Sequence, residues 1–175
     1  IALQRAVDAL FNCLMADGKI LCCGNGSSGA LAQYFAALML NQLERDRPGL
    51  ACIDLTSNQQ TLGNITQHYD IESIFSKQIR TLGKPNDILL VYSMYPDEVN
   101  IKEAIHAAHE RHMQVMIMTG NDTDLAPILL ANDIQLACQS VRNSKIMESH
   151  LWLSHALCDA LDYLLLGEPY TASLL

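Results

Sequence analysis

The chain has 175 residues, of which 50% are hydrophobic and 17% are charged. This length and composition fit one globular domain and leave little room for disorder. Eleven basic against nineteen acidic side chains give a formal net charge of −8, which argues against direct binding to a nucleic-acid backbone. No apolar run approaches the roughly 18 residues that a membrane-spanning helix needs, so we expect no membrane partner.

Apolar periodicity along the chain alternates between helical and strand patterns. A helix is predicted from Ala2 to Met15, because apolar residues recur there at helical spacing. Short apolar runs that end in turn residues predict strands at residues 19–23, 50–55, 87–92, 115–119 and 133–137. Helical patterns lie between them, at residues 30–43, within 57–83, at 97–112 and at 144–166. Strands that alternate with helices indicate an α/β fold with a mainly parallel sheet.

The chain shows no repeat, linker or low-complexity segment, which predicts a single domain over residues 1–175. It begins at Ile1 within a helical pattern, and we therefore expect an upstream part of the first helix to be missing. Its six cysteines include no C-x-x-C pair, and four of them lie in apolar segments, where free thiols pack as small hydrophobes. We predict reduced cysteines and a cytoplasmic protein.

The loop after the first predicted strand, at residues 24–29, reads Gly-Asn-Gly-Ser-Ser-Gly. In an open parallel sheet, ligands bind beyond the carboxyl ends of the strands, where the strand order reverses. Glycine lets the backbone approach a ligand, while serine hydroxyls and the N–H groups of a helix start can hold an anion. The loop therefore predicts a phosphate site at Asn25, Gly26, Ser27 and Ser28. An ordinary tight turn with a serine cap is the alternative.

Several motifs together resemble a known family. Residues 22–28 read Cys-Cys-Gly-Asn-Gly-Ser-Ser, and residues 32–36 read Ala-Gln-Tyr-Phe-Ala. Shorter matches follow at residues 47–49, 74–76, 83–90, 119–120 and 146–150. The chain thus resembles the sugar isomerase (SIS) domain of the phosphoheptose isomerase and DiaA group. The resemblance implies a flavodoxin-like three-layer αβα sandwich with a five-stranded parallel sheet, assembled as a homotetramer with sites at the subunit interfaces.

The loop after the third predicted strand departs from that family. Family members have Ser-Thr-Ser-Gly-Asn-Ser there, and these serines hold the substrate phosphate. This chain keeps only Ser93, and the departing residues are Met94, Tyr95, Pro96, Asp97 and Glu98. Two unit charges about 5 Å apart repel by roughly 3 kcal/mol at an effective dielectric constant near 20. We therefore hypothesise that Asp97 occupies the place of the phosphate. The alternative is that both acids only complement the dipole of the following helix.

The residues that would carry chemistry are also altered. The family segment His-Phe-Ala-Glu-Glu, in which one glutamate moves protons, here begins with Tyr34 and ends in Ala37 and Leu38. Neither Ala37 nor Leu38 can act as a base. His155 keeps the place of a second catalytic or metal-binding group and is the catalytic candidate, a buried structural histidine being the alternative. One imidazole cannot build a zinc site, so we predict no metal and no cofactor.

These replacements favour a non-catalytic interaction module that resembles DiaA, the SIS tetramer that binds the replication initiator DnaA. Leu165 and Leu166, in an apolar stretch at the end of the last helix, are the candidate partner patch; packing within a tetramer is the alternative. The alternative function is a phosphoheptose isomerase that converts sedoheptulose 7-phosphate to glycero-manno-heptose 7-phosphate. A sensor of another sugar or a nucleotide is a third hypothesis. The expected partners are further copies of the chain, DnaA and a sugar phosphate.

Overall fold

The structure, a computed structural model, describes residues 2–95, 97–120, 125 and 127–167. Five strands occur among these residues: β1 (Ile20–Gly24), β2 (Cys52–Asp54), β3 (Ile88–Tyr92), β4 (Gln114–Thr119) and β5 (Ile134–Ala137). The helices are α1 (Ala2–Met15), α2 (Ser27–Leu40), α3 (Gln59–His68), α4 (Ser76–Leu82), α5 (Val99–Glu110) and α6 (Asn143–Leu166), with one 3-10 turn at Ile71–Ser73. All strand pairs are parallel, in the order β2-β1-β3-β4-β5. The predicted αβα sandwich is confirmed.

The strand order reverses between β1 and β3. From β1 the chain crosses to β2 on one side of β1 and then returns to β3 on the other side. The connections that follow β1 and β3 therefore run in opposite directions along the sheet. Gly24 at the end of β1 pairs with Tyr92 at the end of β3. The loops that follow these strands therefore start side by side, at the edge where parallel sheets bind ligands.

The sheet has an apolar layer on each face. Neighbouring residues of β1 enter opposite layers: Cys22 packs with α1, α2 and α6, and Cys23 packs with α4 and α5. β1 and β3 are buried along their whole length, as their continuous apolar sequences predict. The six cysteines are free thiols, as predicted, and only Cys138 is partly exposed. None of the helices in the described ranges is long and apolar enough to cross a membrane.

Helix α2 begins three residues before the predicted start and ends three residues before the predicted end. Gly26 has a φ of 52°, which turns the chain so sharply that Ser27 is already helical. At the other end, the guanidinium of Arg47 donates to the carbonyl oxygens of Leu38 and Met39. These bonds satisfy carbonyl oxygens that lack intrahelical partners in the last turn of a helix.

Candidate functional site

Asn25 joins the two loops at the switch point. Its Nδ2 donates to Oε2 of Glu98 at 2.8 Å and to Oδ1 of Asn100 at 2.9 Å. Nδ2 of Asn100 donates back to Oδ1 of Asn25 at 2.8 Å. This closed set of hydrogen bonds ties the end of β1 to the start of α5. It also holds the Glu98 carboxylate beside the glycine- and serine-rich loop.

A cavity of about 280 Å³ lies between these loops. Its lining residues are Asn25, Gly26, Ser27, Ser28, Met94, Tyr95 and Glu98. The predicted phosphate loop therefore does face a cavity, at the start of the 14-residue helix α2. The backbone behind it is tight: a Cβ at Gly24 would lie 2.8 Å from the carbonyl oxygens of Ser28 and Tyr92. Only glycine fits at this point, because backbone atoms cannot move aside.

Two serine hydroxyls near the cavity are buried and have no hydrogen-bond partner among the described residues. Ser28, in the lining, is 2% exposed, and Ser93, which precedes the lining residue Met94, is 1% exposed. A buried polar group without a partner costs about 1–3 kcal/mol. Both hydroxyls therefore keep an unused capacity for hydrogen bonding, and their role in binding a phosphate stays a prediction.

The hypothesis that Asp97 takes the place of the phosphate is wrong. Its side chain is 89% exposed and pairs with Nζ of Lys102 at 3.0 Å. Lys102 lies in the first turns of α5 and draws the carboxylate toward solvent. The carboxylate in the cavity belongs to Glu98 instead. Tyr95 is exposed and its hydroxyl accepts a hydrogen bond from Asn143, whereas Pro96 lies outside the described residues.

Tyr34 and His155 form a second hydrogen-bonded pair. The hydroxyl of Tyr34, on α2, lies 2.9 Å from Nε2 of His155, on α6. The two rings meet edge to face, with centroids 5.7 Å apart. His155 is only half-buried, so the alternative of a buried structural histidine does not apply to it. Ala37 is exposed and Leu38 half-buried one turn further along α2, and neither supplies an ionisable group.

The buried histidine of α6 is His150, which is fully enclosed. Neither of its ring nitrogens has a hydrogen-bond partner with good geometry among the described residues. Burial lowers the pKa of His150 from its ordinary value of 6.5, and the nearby backbone of Thr119 opposes this shift. Its ring contacts Tyr92, whose hydroxyl lies 2.8 Å from Oγ of Ser154. These residues form a polar layer inside the core rather than a site open to solvent.

The donor set for a metal is incomplete. No group of three or more histidine, cysteine, aspartate or glutamate side chains that could hold a metal occurs within the described ranges. The metal that the family resemblance allows therefore does not fit the donors in the described part of the chain, since zinc needs three or four ligands. The absence of a metal site stays a prediction.

The sequence did not reveal two of these contacts. Tyr34 and His155 are 121 positions apart, and Asn25 and Asn100 are 75 positions apart. Neither spacing carries a local periodic signal, so only the packing of α2 on α6 and of the first loop on α5 brings them together. The predicted partner patch lies where expected at the end of α6: Leu166 is 39% exposed and Leu165 is half-buried. Its role stays a prediction.

Comparison with known proteins defines the family. The family model for the SIS domain matches residues 1–120, more than half of the chain. The chain belongs to the SIS domain family. A solved phosphoheptose isomerase from Francisella tularensis superposes on this SIS domain with a TM-score of 0.88 at 40% sequence identity. That match covers 92% of this chain and 85% of the other.

Curated relatives point to an enzyme. A protein of Laribacter hongkongensis named phosphoheptose isomerase is 46% identical over 166 residues, which is 94% of this SIS domain chain and 85% of the relative. One of Methylococcus capsulatus with the same name is 42% identical over 168 residues, 95% of this chain and 86% of the relative. Three further relatives at 42–46% identity carry that name as well.

The prediction of a non-catalytic module that binds DnaA is therefore wrong. The relatives named phosphoheptose isomerase match 93–95% of the chain at 42–46% identity. The prediction gave too much weight to single replaced residues. Asp97 turns away from the cavity, and His155 is half-exposed with a hydrogen-bonded partner, so neither residue has the role that the non-catalytic hypothesis gave it.

Proposed function

We propose that this chain is a phosphoheptose isomerase that converts sedoheptulose 7-phosphate to glycero-manno-heptose 7-phosphate. The observation that carries the proposal is the 42–46% identity, over nearly the whole chain, to relatives of that name. The reaction exchanges a ketose for an aldose. One proton moves from C1 to C2 and another moves from O1 to O2, so no oxidant or reductant takes part.

The cavity at the switch point is the proposed place for the phosphate. The start of α2 presents the positive end of a helix dipole, which favours an anion. The unpartnered hydroxyls of Ser28 and Ser93 support the same assignment. Glu98 opposes it, because its carboxylate lies in the lining. We expect Glu98 to weaken phosphate binding without preventing it, since the acid beside it, Asp97, faces solvent.

His155 is the proposed group that moves the protons. A neutral imidazole can accept a proton from C1 and return it to C2, as general acid–base catalysis requires. Ala37 and Leu38 leave no carboxylate at the positions used elsewhere in the family. His155 therefore has to carry the transfer between carbons, with Tyr34 as its hydrogen-bonded neighbour. Transfer between the two oxygens can use the same imidazole or a water molecule.

We further propose that the chain assembles as a homotetramer in the cytoplasm. Large apolar side chains are exposed on the helices of a single chain, among them Leu40 at 59% and Trp152 at 63%. Exposed apolar surface of this kind is typical of interfaces, and further copies of the chain are the occupants we expect. The free thiols support a reducing compartment.

The proposed reaction can be tested with purified protein and sedoheptulose 7-phosphate, by following the aldose signal in proton NMR spectra recorded in deuterium oxide. We expect the aldose to accumulate, with deuterium entering at C2 when the base exchanges its proton with solvent. The variant Ser28→Ala should raise KM, whereas Ser149→Ala, the same change on the outer part of α6, should not. Absence of the aldose at high enzyme concentration would overturn the proposal.

A further inference from the structure

We propose that Tyr34 is a positioning residue for His155, in that its hydroxyl oxygen accepts a hydrogen bond from Nε2–H and leaves Nδ1 as the proton-accepting atom. The inference rests on the proposed isomerase function. It assigns a role to Tyr34, which stands where the family segment begins with histidine. Tyr34 touches His155 and is not itself required to touch the substrate.

The geometry fixes the imidazole in two ways. The 2.9 Å separation between the hydroxyl and Nε2 is a normal hydrogen-bond length and defines which nitrogen is engaged. The edge-to-face contact, with an angle of 66° between the ring planes, limits rotation of the imidazole about its own axis. A ring held by both contacts presents one nitrogen in one direction, which is what a base acting on a bound carbon requires.

The tautomer follows from which atom donates. Neutral imidazole carries one proton, so one nitrogen donates and the other accepts. If Nε2–H donates to the Tyr34 oxygen, Nδ1 has a free lone pair and can take the proton from C1. If the phenol donated instead, Nε2 would be engaged and Nδ1 would carry the proton, leaving no basic nitrogen. Catalysis by His155 therefore needs the first arrangement.

The contact with Tyr34 does not depend on the neutral state of the ring. The protonated ring keeps its Nε2–H bond to the tyrosine oxygen, because both nitrogens of an imidazolium are donors. Asp159 lies one turn further along α6, and its pKa is raised by partial burial and by the charges of Glu44 and Asp162, while His155 lowers it. Tyr34 on α2 and Asp159 on α6 are the titratable groups shown to interact with His155.

The test combines side-chain NMR with kinetics. Long-range nitrogen–proton spectra of ¹⁵N-labelled protein near pH 8, with His155 assigned from the His155→Gln variant, report which ring nitrogen carries the proton. We expect a protonated Nε2 in the wild type and a mixture of tautomers in Tyr34→Phe. The control Tyr163→Phe makes the same change at an exposed tyrosine of α6 and should leave the His155 signals unchanged.

In the kinetic arm, Tyr34→Phe should lower kcat by roughly 10- to 100-fold, as expected for loss of a group that orients a reacting imidazole, with KM within about twofold. A proton found on Nδ1 in the wild type, or His155 signals that are the same in Tyr34→Phe, would overturn the inference. A wild-type protein without turnover would instead overturn the proposed isomerase function. The NMR result tests the tyrosine contact in either case.

Discussion

Nε of Arg47 donates to Oδ1 of Asp162 at 2.5 Å, and the side chains are only 1% and 3% exposed. The same guanidinium donates to the carbonyl oxygens of Leu38 and Met39 at the end of α2. Arg47 thus links the end of α2 to the last turns of α6 through hydrogen bonds and an ion pair. These are the two helices that carry Tyr34 and His155, so the geometry of that pair depends on a buried ion pair outside it.

The variant Asp162→Ala should destabilise the fold by about 3–5 kcal/mol, because it leaves the guanidinium of Arg47 buried without its counter-charge. Urea unfolding followed by circular dichroism measures the free energy of unfolding. Glu148→Gln is the control, since Glu148 pairs with Lys145 at the surface and should change stability by less than about 1 kcal/mol. Equal effects of the two substitutions would contradict the structural role of Arg47.

His150 should make the fold less stable in mild acid. Burial places the folded-state pKa of His150 below the ordinary value of 6.5. In mild acid the unfolded chain therefore binds a proton that the folded chain does not bind. Stability should therefore be independent of His150 above about pH 6.5 and should fall as the pH drops below that value, until the folded-state pKa is reached. Urea titrations between pH 8 and pH 5 provide the measurement.

As the pH is lowered, the free energy of unfolding should decrease less steeply for His150→Gln than for the wild type. His106→Gln changes an exposed histidine of α5 and should keep the wild-type slope. Parallel curves for the wild type and His150→Gln would show that His150 takes up a proton in the folded state as easily as in the unfolded chain.

Glu98→Gln should strengthen the binding of inorganic phosphate. Removing a unit charge about 5 Å from an anion relieves roughly 3 kcal/mol per charge at an effective dielectric constant near 20, an upper limit that solvent reduces. The amide oxygen can still accept from Asn25, so the loop should keep its shape. Isothermal calorimetry should show several-fold tighter binding.

Asp97→Asn is the matched control for Glu98→Gln, because it removes the same charge from the neighbouring residue. Its carboxylate faces solvent beside Lys102, so phosphate affinity should stay close to that of the wild type. If the two substitutions acted alike, the charge effect would be a property of the whole helix start and not of the cavity.

Chelation should leave the isomerase activity unchanged. The sites at which family resemblance allows a metal carry Tyr34 and His155, and the described part of the chain gathers no three ligands in one place. Dialysis against a chelator, followed by the isomerase assay and elemental analysis, checks this expectation. Stoichiometric zinc that is lost together with activity would disprove it.

Much of the fold could be predicted from local patterns. The fully apolar stretches of β1 and β3 and the helical period of α1 are properties of neighbouring residues, and each element forms within a few positions of its predicted range. The start of α2 was missed because serines favour caps and turns, so Ser27 and Ser28 were assigned to the loop although the turn at Gly26 makes them helical.

The site was harder to predict because its contacts join distant parts of the chain. Asp97 and Glu98 are adjacent and chemically alike, yet Glu98 accepts a hydrogen bond from Asn25 whereas Asp97 pairs with Lys102. Which of the two acids faces the cavity depends on the backbone path between β3 and α5. No sequence pattern fixes such a path. The pairing of Tyr34 with His155 likewise depends on how α2 rests on α6.

The tight backbone at Gly24 has a consequence for how this site can evolve. Main-chain atoms of Ser28 and Tyr92 lie close to this position, so the floor of the crevice is formed by backbone atoms and not by side chains. A rim side chain such as Met94 can be exchanged without disturbing that floor. Ligand preference can therefore change through substitutions at the rim of the cavity, while the backbone beneath them stays the same.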